Sequence, residues 1–220
     1  MKFIYTIEVS CLCNLKCSYC PHSNSKRKKG FMSLKTFLRS LELLKQLGQD
    51  YICLHNFGEP LLHPDIVDYV RLAKNVVNTV VFSTNGILLT REKVVALKEA
   101  GLTELYISEH SPEHAKQAIK NCEGLGLLKE VRNNFFHDWA GTAKKHKSYC
   151  LKKEITENKK ACHFITDQWA VILWDGRVTS CCIDMEGKGI IGNIFDENVL
   201  KLKPRYSSLC QSCHMLIEIQ

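Results

Sequence analysis

Between residues 3 and 136 the chain repeats a strand-then-helix pattern, and this alternation limits its fold more than any other feature. The segment 3–9 is rich in β-branched and aromatic residues, as strands are. Ser33 stands as an N-cap before Leu34, Phe37, Leu38, Leu41, Leu44 and Leu47, which recur at the helical period, and Gly48 follows as a stop. The same signals predict strands over 51–56, 79–83, 105–108 and 128–136, with helices over 64–75, 90–100 and 112–121. Pro64 suits the first turn of its helix. Such alternation predicts an α/β fold with a parallel sheet and right-handed crossovers. Five strands and four helices are too few to close an eightfold barrel, which leaves a partial (β/α) barrel or an open sheet.

Beyond a lysine-rich stretch the pattern changes. Segments 169–174 and 177–181 flank Asp175-Gly176, a hairpin signal. The expected organisation is a barrel-like domain over 1–141 and a small cysteine-bearing extension of hairpin and helix over 142–220, including the lysine-rich linker. Polar residues gather where each predicted strand of the first part ends: 11–20, 58–60, 83–86, 108–110 and 133–138. Ligands of parallel α/β folds bind at the carboxyl ends of the strands, so these segments are expected to form one site.

Twelve cysteines in 220 residues are the compositional anomaly. The first ten residues lack the apolar core of an export signal, and no stretch approaches the roughly 20 apolar residues of a membrane helix. The chain is therefore expected to be cytoplasmic and not membrane-bound. Thiols in that setting favour metal or cluster ligation over disulfides. Hydrophobic residues at 45% exclude a disordered protein. The net charge of +7 is concentrated in Lys26-Arg27-Lys28-Lys29 and in seven lysines within 141–160. Each run reads first as a solvated face, and second as an attractor for an anionic substrate or nucleic acid.

Cys13, Cys17 and Cys20 form C-x3-C-x2-C directly after the first strand. Three thiolates can hold three irons of a [4Fe–4S] cluster and leave the fourth open. A zinc site completed by His22 or Cys11 is the alternative. Cys162, Cys181, Cys210 and Cys213 supply four more thiolates, suited either to zinc or to a fully ligated [4Fe–4S] cluster. Cys53 and Cys122 read as core residues.

The segment 13–20, with Tyr19 before the last cysteine, resembles the signature of radical S-adenosylmethionine (SAM) enzymes. The resemblance continues in Phe57-Gly58-Glu59-Pro60, similar to the family's G-G-E-P with Phe57 in place of the first glycine, and in Ser83-Thr84-Asn85-Gly86, similar to its T-N-G strand end. Trp174-Asp175-Gly176-Arg177, Cys181-Cys182-Ile183-Asp184 and Ile191-Gly192-Asn193-Ile194 resemble the SPASM extension in its short, Twitch-like form. The resemblance implies an abbreviated partial barrel. It implies cluster ligation by Cys13, Cys17 and Cys20, with SAM on the open iron. Tyr19 would lie near the adenine, and Gly58, Glu59 and Pro60 would present the backbone edge that meets the SAM amino group. Thr84 and Ser108 would reach the ribose or carboxylate, or else serve as satisfied strand-end hydroxyls. An auxiliary [4Fe–4S] cluster would sit on Cys162, Cys181, Cys210 and Cys213; Cys182 could replace Cys181, but the spacing from Gly176 selects Cys181.

The implied chemistry is reductive cleavage of SAM to a 5′-deoxyadenosyl radical that takes a hydrogen from the substrate. The architecture is similar to the aminocyclitol dehydrogenases of the butirosin pathway. That likeness implies oxidation of a small polar substrate such as a sugar or aminocyclitol, with the auxiliary cluster accepting an electron and a flavodoxin or ferredoxin as donor. A peptide-modifying relative (epimerisation or crosslinking) is the alternative within the family. A zinc module binding nucleic acid through the lysine runs is the alternative outside it, disfavoured because it leaves the strand-end motifs unexplained. Glu109, His110, Arg132, His137 and Asp138 lie at strand ends as candidate bases, and none is singled out.

Overall fold

The computed structural model describes residues 1–132, 160–213 and 217–218. Five strands run parallel in sequence order: β1 (Phe3–Ile7), β2 (Tyr51–Cys53), β3 (Thr79–Thr84), β4 (Glu104–Ser108) and β5 (Leu128–Arg132). Between them lie α1 (Leu34–Gln46), α2 (Ile66–Lys74), α3 (Arg91–Glu99) and α4 (Pro112–Cys122). The strand expected to reach residue 136 is described only to Arg132; its continuation, the 141/142 boundary, the lysines of 144–159, His137, Asp138 and Cys150 lie outside the described residues.

Local chemistry accounts for the elements. Ser33 Oγ accepts from the Thr36 N–H to cap α1, Thr90 Oγ1 accepts from the Lys93 N–H to cap α3, and Pro112 opens α4. Gly48 takes φ +62° just beyond α1, a conformation that costs glycine little. The helices bury Phe37, Leu41, Leu44, Ile66, Tyr69, Val70, Val94, Leu97 and Ala118 against Ile4, Ile52, Leu54, Val80, Phe82, Leu105 and Ile107. Ile52 of β2 and Leu54 just past its end enter that helix-side core at 0% exposure. The alternating positions Cys53 and His55 therefore belong to the opposite face of the sheet.

The C-terminal part adds β6 (Lys160–Ala161), α5 (His163–Thr166), β7 (Trp169–Ile172), β8 (Arg177–Thr179), β9 (Ile190–Asn193) and β10 (Ile217–Glu218). The expected hairpin is present, with β7 and β8 antiparallel around Asp175-Gly176 and Gly176 at φ +84°. It does not hang apart from the barrel, as an appendage would. β7 pairs parallel with the free edge of β1, so one eight-stranded sheet runs β5-β4-β3-β2-β1-β7-β8-β9. Ala170, Ile172, Val178 and Ile194 belong to the same core as the barrel helices. Covering the exposed edge of β1 in this way removes an unpaired strand and puts the hairpin that leads to Cys181 on the same sheet as the strand that leads to Cys13.

Candidate functional site

The carboxyl ends of β1 to β4 open into one cleft. Its lining includes Cys13, Cys17, Cys20, Tyr19, Gly58, Glu59, Thr84 and Ser108, together with His55, Asn56, Ser83, Asn85 and His110. Four of the five segments expected to converge contribute to it, 133–138 lying outside the described residues, and all but Pro60 of the expected first-site residues line this one cavity.

The cysteine loop is held from beneath. Cys11 is fully buried, and its backbone N–H donates to Gly30 O at 2.9 Å. The Leu15 N–H reaches Cys13 Sγ at 3.4 Å. Gly58 takes φ +95°, and a Cβ there would stand 2.6 Å from Ser10 O and 2.7 Å from Leu12 O. Only glycine lets the two loops touch, and the Glu59 N–H donates to Leu12 O at 2.7 Å across that contact. Phe57, the departure from the usual glycine pair, is 3% exposed and packs with Cys11 and Met185, so it joins the cysteine loop to the C-terminal region.

Glu59 is 2% exposed, and among the described residues its carboxylate faces no cation. It accepts instead from the Leu61 N–H at 3.0 Å, the Thr84 hydroxyl at 2.7 Å and the Asn85 N–H at 2.8 Å. Burial pushes its carboxyl pKa up, against the pull of these donors. The carboxylate thus ties the end of β2 to the end of β3. Asn85 Nδ2 extends the tie by donating to Asn14 Oδ1 in the cysteine loop at 2.7 Å. The Thr84 hydroxyl is spent inside this network, since it also accepts from the Gly86 N–H. Ser108 Oγ pairs with Ser83 Oγ at 2.9 Å on the cleft wall. Tyr19 stacks on His110, with centroids 5.9 Å apart, and its hydroxyl bonds His110 Nδ1.

Burial pushes the Cys20 thiol up to about 11 and raises that of Cys13. These thiols hold protons until a metal displaces them. All eleven described cysteines are free. Among the described residues no three His, Cys, Asp or Glu side chains converge as they would on a single ion. A cubane asks no such convergence, because each thiolate holds its own iron. Three part-exposed thiols on one loop, open to a cleft, fit a cluster with one iron left for a ligand. The zinc alternative through His22 or Cys11 is not built: His22 Nε2 bonds Cys11 O at 2.8 Å, and Cys11 Sγ lies under the Arg27 guanidinium at 2.8 Å.

The second set gathers where β8 ends. Asp184 is fully buried and accepts from the Thr179 hydroxyl and from the Lys188 and Gly189 N–H groups at 2.7–2.8 Å, which shapes the loop after Cys181. Burial raises the Cys162 thiol, and Cys181 and Cys210 lie near enough to add to the rise; Cys181 and Cys182 share a side-chain hydrogen bond. Cys213 packs with Leu209 and Ile183, with Cys181 and Cys182 beside them. Cys182 belongs to both groupings, for it also packs against the cluster of Phe164, Val171 and Leu173 that Cys162 joins. Four thiols on a loop, a short helix and a tail fit a closed cluster, and the fifth stands next to it.

Sequence reasoning missed Glu8 and Arg27. Glu8 is fully buried and takes both guanidinium nitrogens of Arg27, at 3.0 and 2.6 Å. The Trp174 N–H also donates to Glu8, at 3.3 Å. Arg27 is therefore not part of a solvated face, and Lys29 Nζ caps the turn at His22 O. Nothing local flags such a pair, because its partners lie 19 residues apart and meet only through the fold. His55 was also unflagged as a site residue.

The radical SAM superfamily model matches residues 7–153, and the SPASM model, an iron–sulfur cluster-binding domain, matches residues 162–214. The S-adenosyl-L-methionine-dependent 2-deoxy-scyllo-inosamine dehydrogenase of Niallia circulans is 27% identical over 201 residues, covering 88% of this chain and 78% of that protein. The GTP 3′,8-cyclase of Chlorobaculum tepidum is 38% identical over 104 residues, but covers only 46% of this chain and 31% of that enzyme. The crystal structure of BtrN in complex with AdoMet and 2-DOIA superposes with a TM-score of 0.75 at 23% identity, covering 91% of this chain and 81% of that one. Motifs, fold and family match agree: the chain belongs to the radical SAM superfamily, with SAM and a [4Fe–4S] cluster as cofactors and auxiliary iron–sulfur binding in its C-terminal region.

Proposed function

We propose that this chain is a radical SAM dehydrogenase that oxidises a small hydroxyl-bearing substrate, an aminocyclitol or sugar, with an auxiliary [4Fe–4S] cluster taking up an electron. The observation that carries the reading is the extent of the likeness to the inosamine dehydrogenase, which runs through both regions, whereas the cyclase likeness covers less than half of the chain. The cluster and SAM supply a 5′-deoxyadenosyl radical able to take hydrogen from an unactivated C–H bond. Cys13, Cys17 and Cys20 hold that cluster, and the edge Gly58-Glu59-Pro60 meets the SAM amino group through its backbone. Glu59 and Thr84 act by locking the edge to the end of β3. Tyr19 flanks the adenine, and Ser108 stands on the cleft wall. Cys162, Cys181, Cys210 and Cys213 close the auxiliary cluster, leaving it no position for substrate and suiting it to electron transfer. A flavodoxin or ferredoxin supplies the electron that starts the reaction.

The test is anaerobic incubation of the reduced, cluster-loaded protein with SAM and 2-deoxy-scyllo-inosamine, following 5′-deoxyadenosine and the ketone together. One ketone per 5′-deoxyadenosine supports the reading. Formation of 5′-deoxyadenosine with no ketone from this or related cyclitols and sugars refutes the substrate class while leaving SAM cleavage intact.

A further inference from the structure

Cys53 and His55 lie on the side of the sheet away from the helices; His55 lines the cleft, and neither residue belongs to the cluster-binding or SAM-binding motifs. His55 Nδ1 is 2.9 Å from the Ser83 backbone nitrogen, whose N–H donates to it, and 2.9 Å from Cys53 Sγ. A backbone N–H can only donate, so Nδ1 carries no proton and the ring's proton sits on Nε2. Burial, helped by the nearby Arg132 cation, pushes the ring pKa down to about 4, which keeps this neutral tautomer in place at neutral pH. Cys53, the other titratable group against the ring, is itself pushed up to about 11 by burial. His55 and Asn56 both line the cleft, and Asn56 Nδ2 is a buried donor with no partner among the described residues. His55 Nε2 has a long contact of 3.9 Å to Cys53 Sγ, so its N–H has no strong acceptor among the described residues. This stretch of wall offers hydrogen-bond donors, and a buried donor left unmet is costly. A ligand placed against it must bring oxygen acceptors.

We propose that His55 donates through Nε2–H to a hydroxyl or carbonyl oxygen of the substrate and so selects an oxygen-bearing ligand for the cleft. The same geometry excludes His55 as the base that removes a hydroxyl proton: Nδ1 is filled and Nε2 is already protonated. SAM also carries oxygen acceptors. The assignment to substrate follows from the face of the sheet: His55 lies two residues beyond Cys53, past the end of β2, on the side turned away from the helices and against Ser83 of β3. The inference rests on the dehydrogenase reading only in taking the second ligand of the cleft to be a small oxygen-bearing molecule.

Two substitutions separate the roles of the two ring nitrogens. His55→Asn keeps an acceptor near Nδ1 for the Ser83 N–H and removes the Nε2 donor. His55→Gln keeps a donor near Nε2 and gives up the Ser83 bond. Calorimetric titration of the cluster-loaded, unreduced protein is made first with SAM, then with 2-deoxy-scyllo-inosamine on the SAM-loaded form. The expected result is cyclitol binding about 10- to 30-fold weaker in H55N and within about threefold of wild type in H55Q, with SAM affinity within about threefold throughout. Equal cyclitol binding by H55N and wild type overturns the proposal. So does a fall in SAM affinity that matches the fall in cyclitol affinity, which would make SAM the acceptor. A wild-type protein that takes SAM but not the cyclitol refutes the substrate class and this assignment with it. A wild type that takes both, with variants that do not separate, refutes the role of His55 alone.

Discussion

Removing the Glu59 carboxylate strips three buried donors of their acceptor at once. Leu61, Thr84 and Asn85 are 6%, 2% and 6% exposed, so their donors cannot simply turn to solvent. A buried donor left unmet costs about 1–3 kcal/mol. Water entering the space left by Glu59→Ala relieves part of this, which leaves a loss of about 3–6 kcal/mol against the ~5–15 kcal/mol that holds a domain together. At about 2–4 °C per kcal/mol for a chain of this size, the melting temperature falls by about 10–20 °C. Glu59→Gln keeps one oxygen but turns an NH2 toward the Asn85 N–H, and costs about 1–3 kcal/mol. The network also predicts coupling: Thr84→Val is less damaging in the Glu59→Ala background than alone, by about 0.5–3 kcal/mol. Thermal unfolding by circular dichroism gives the order wild type, E59Q, E59A, and SAM titration of the same samples follows it. An E59A protein that melts within about 2 °C of wild type and binds SAM normally refutes the reasoning, because the carboxylate would then not be what ties β2 to β3.

Other substitutions test separate parts of the account. Gly58→Ala places a Cβ within 3.0 Å of three backbone atoms of residues 10–12; SAM binding is lost even where the fold survives, and unchanged binding would show that the two loops need not touch. Arg27→Met leaves Glu8 buried without its cation and costs about 3–5 kcal/mol; adding Glu8→Gln recovers part of the loss, and a single variant within about 1 kcal/mol of wild type would contradict a buried pair. The folded pKa of His55, about 4, lies below its ordinary 6.5, so its contribution is present above pH 6.5 and is lost as the pH falls toward 4. Glu8 and Glu59 are pushed up and act in the opposite sense, but they cancel in a difference. The urea stability gap between wild type and H55N therefore narrows by roughly 1–3 kcal/mol from pH 7 to pH 4.5, and a gap independent of pH counts against the neutral, buried ring.

The parts of the molecule written in short spans were legible from the sequence. Ser33 before an amphipathic run, and Asp175-Gly176 between two apolar runs, each carry their own stop and start signals, and both elements are present. The convergence of Cys13 to Cys20, Gly58 to Pro60 and Ser83 to Gly86 followed from their places at strand ends, because parallel strands bring those ends together. The docking of β7 on the edge of β1 was not legible. Trp169 to Ile172 carries the apolar character of a strand but no mark of its partner, which lies more than 160 residues away. The Glu8–Arg27 pair was hidden for the same reason, in a basic run that composition presents as surface. His55 was masked by its setting just past an apolar strand, where its meaning depends on Ser83 arriving from the fold.

Iron and sulfide per chain, measured after anaerobic reconstitution of wild type and of two cysteine variants, test the central claim most directly. The account predicts about eight irons with matching sulfide in wild type. It predicts about four in the variant lacking Cys13, Cys17 and Cys20, and about four in the variant lacking Cys162, Cys181, Cys210 and Cys213. Only the variant that keeps the first set should shift its cluster spectrum on adding SAM. A wild type that holds only four irons, or a variant that keeps all eight, would contradict a two-cluster enzyme with these ligands.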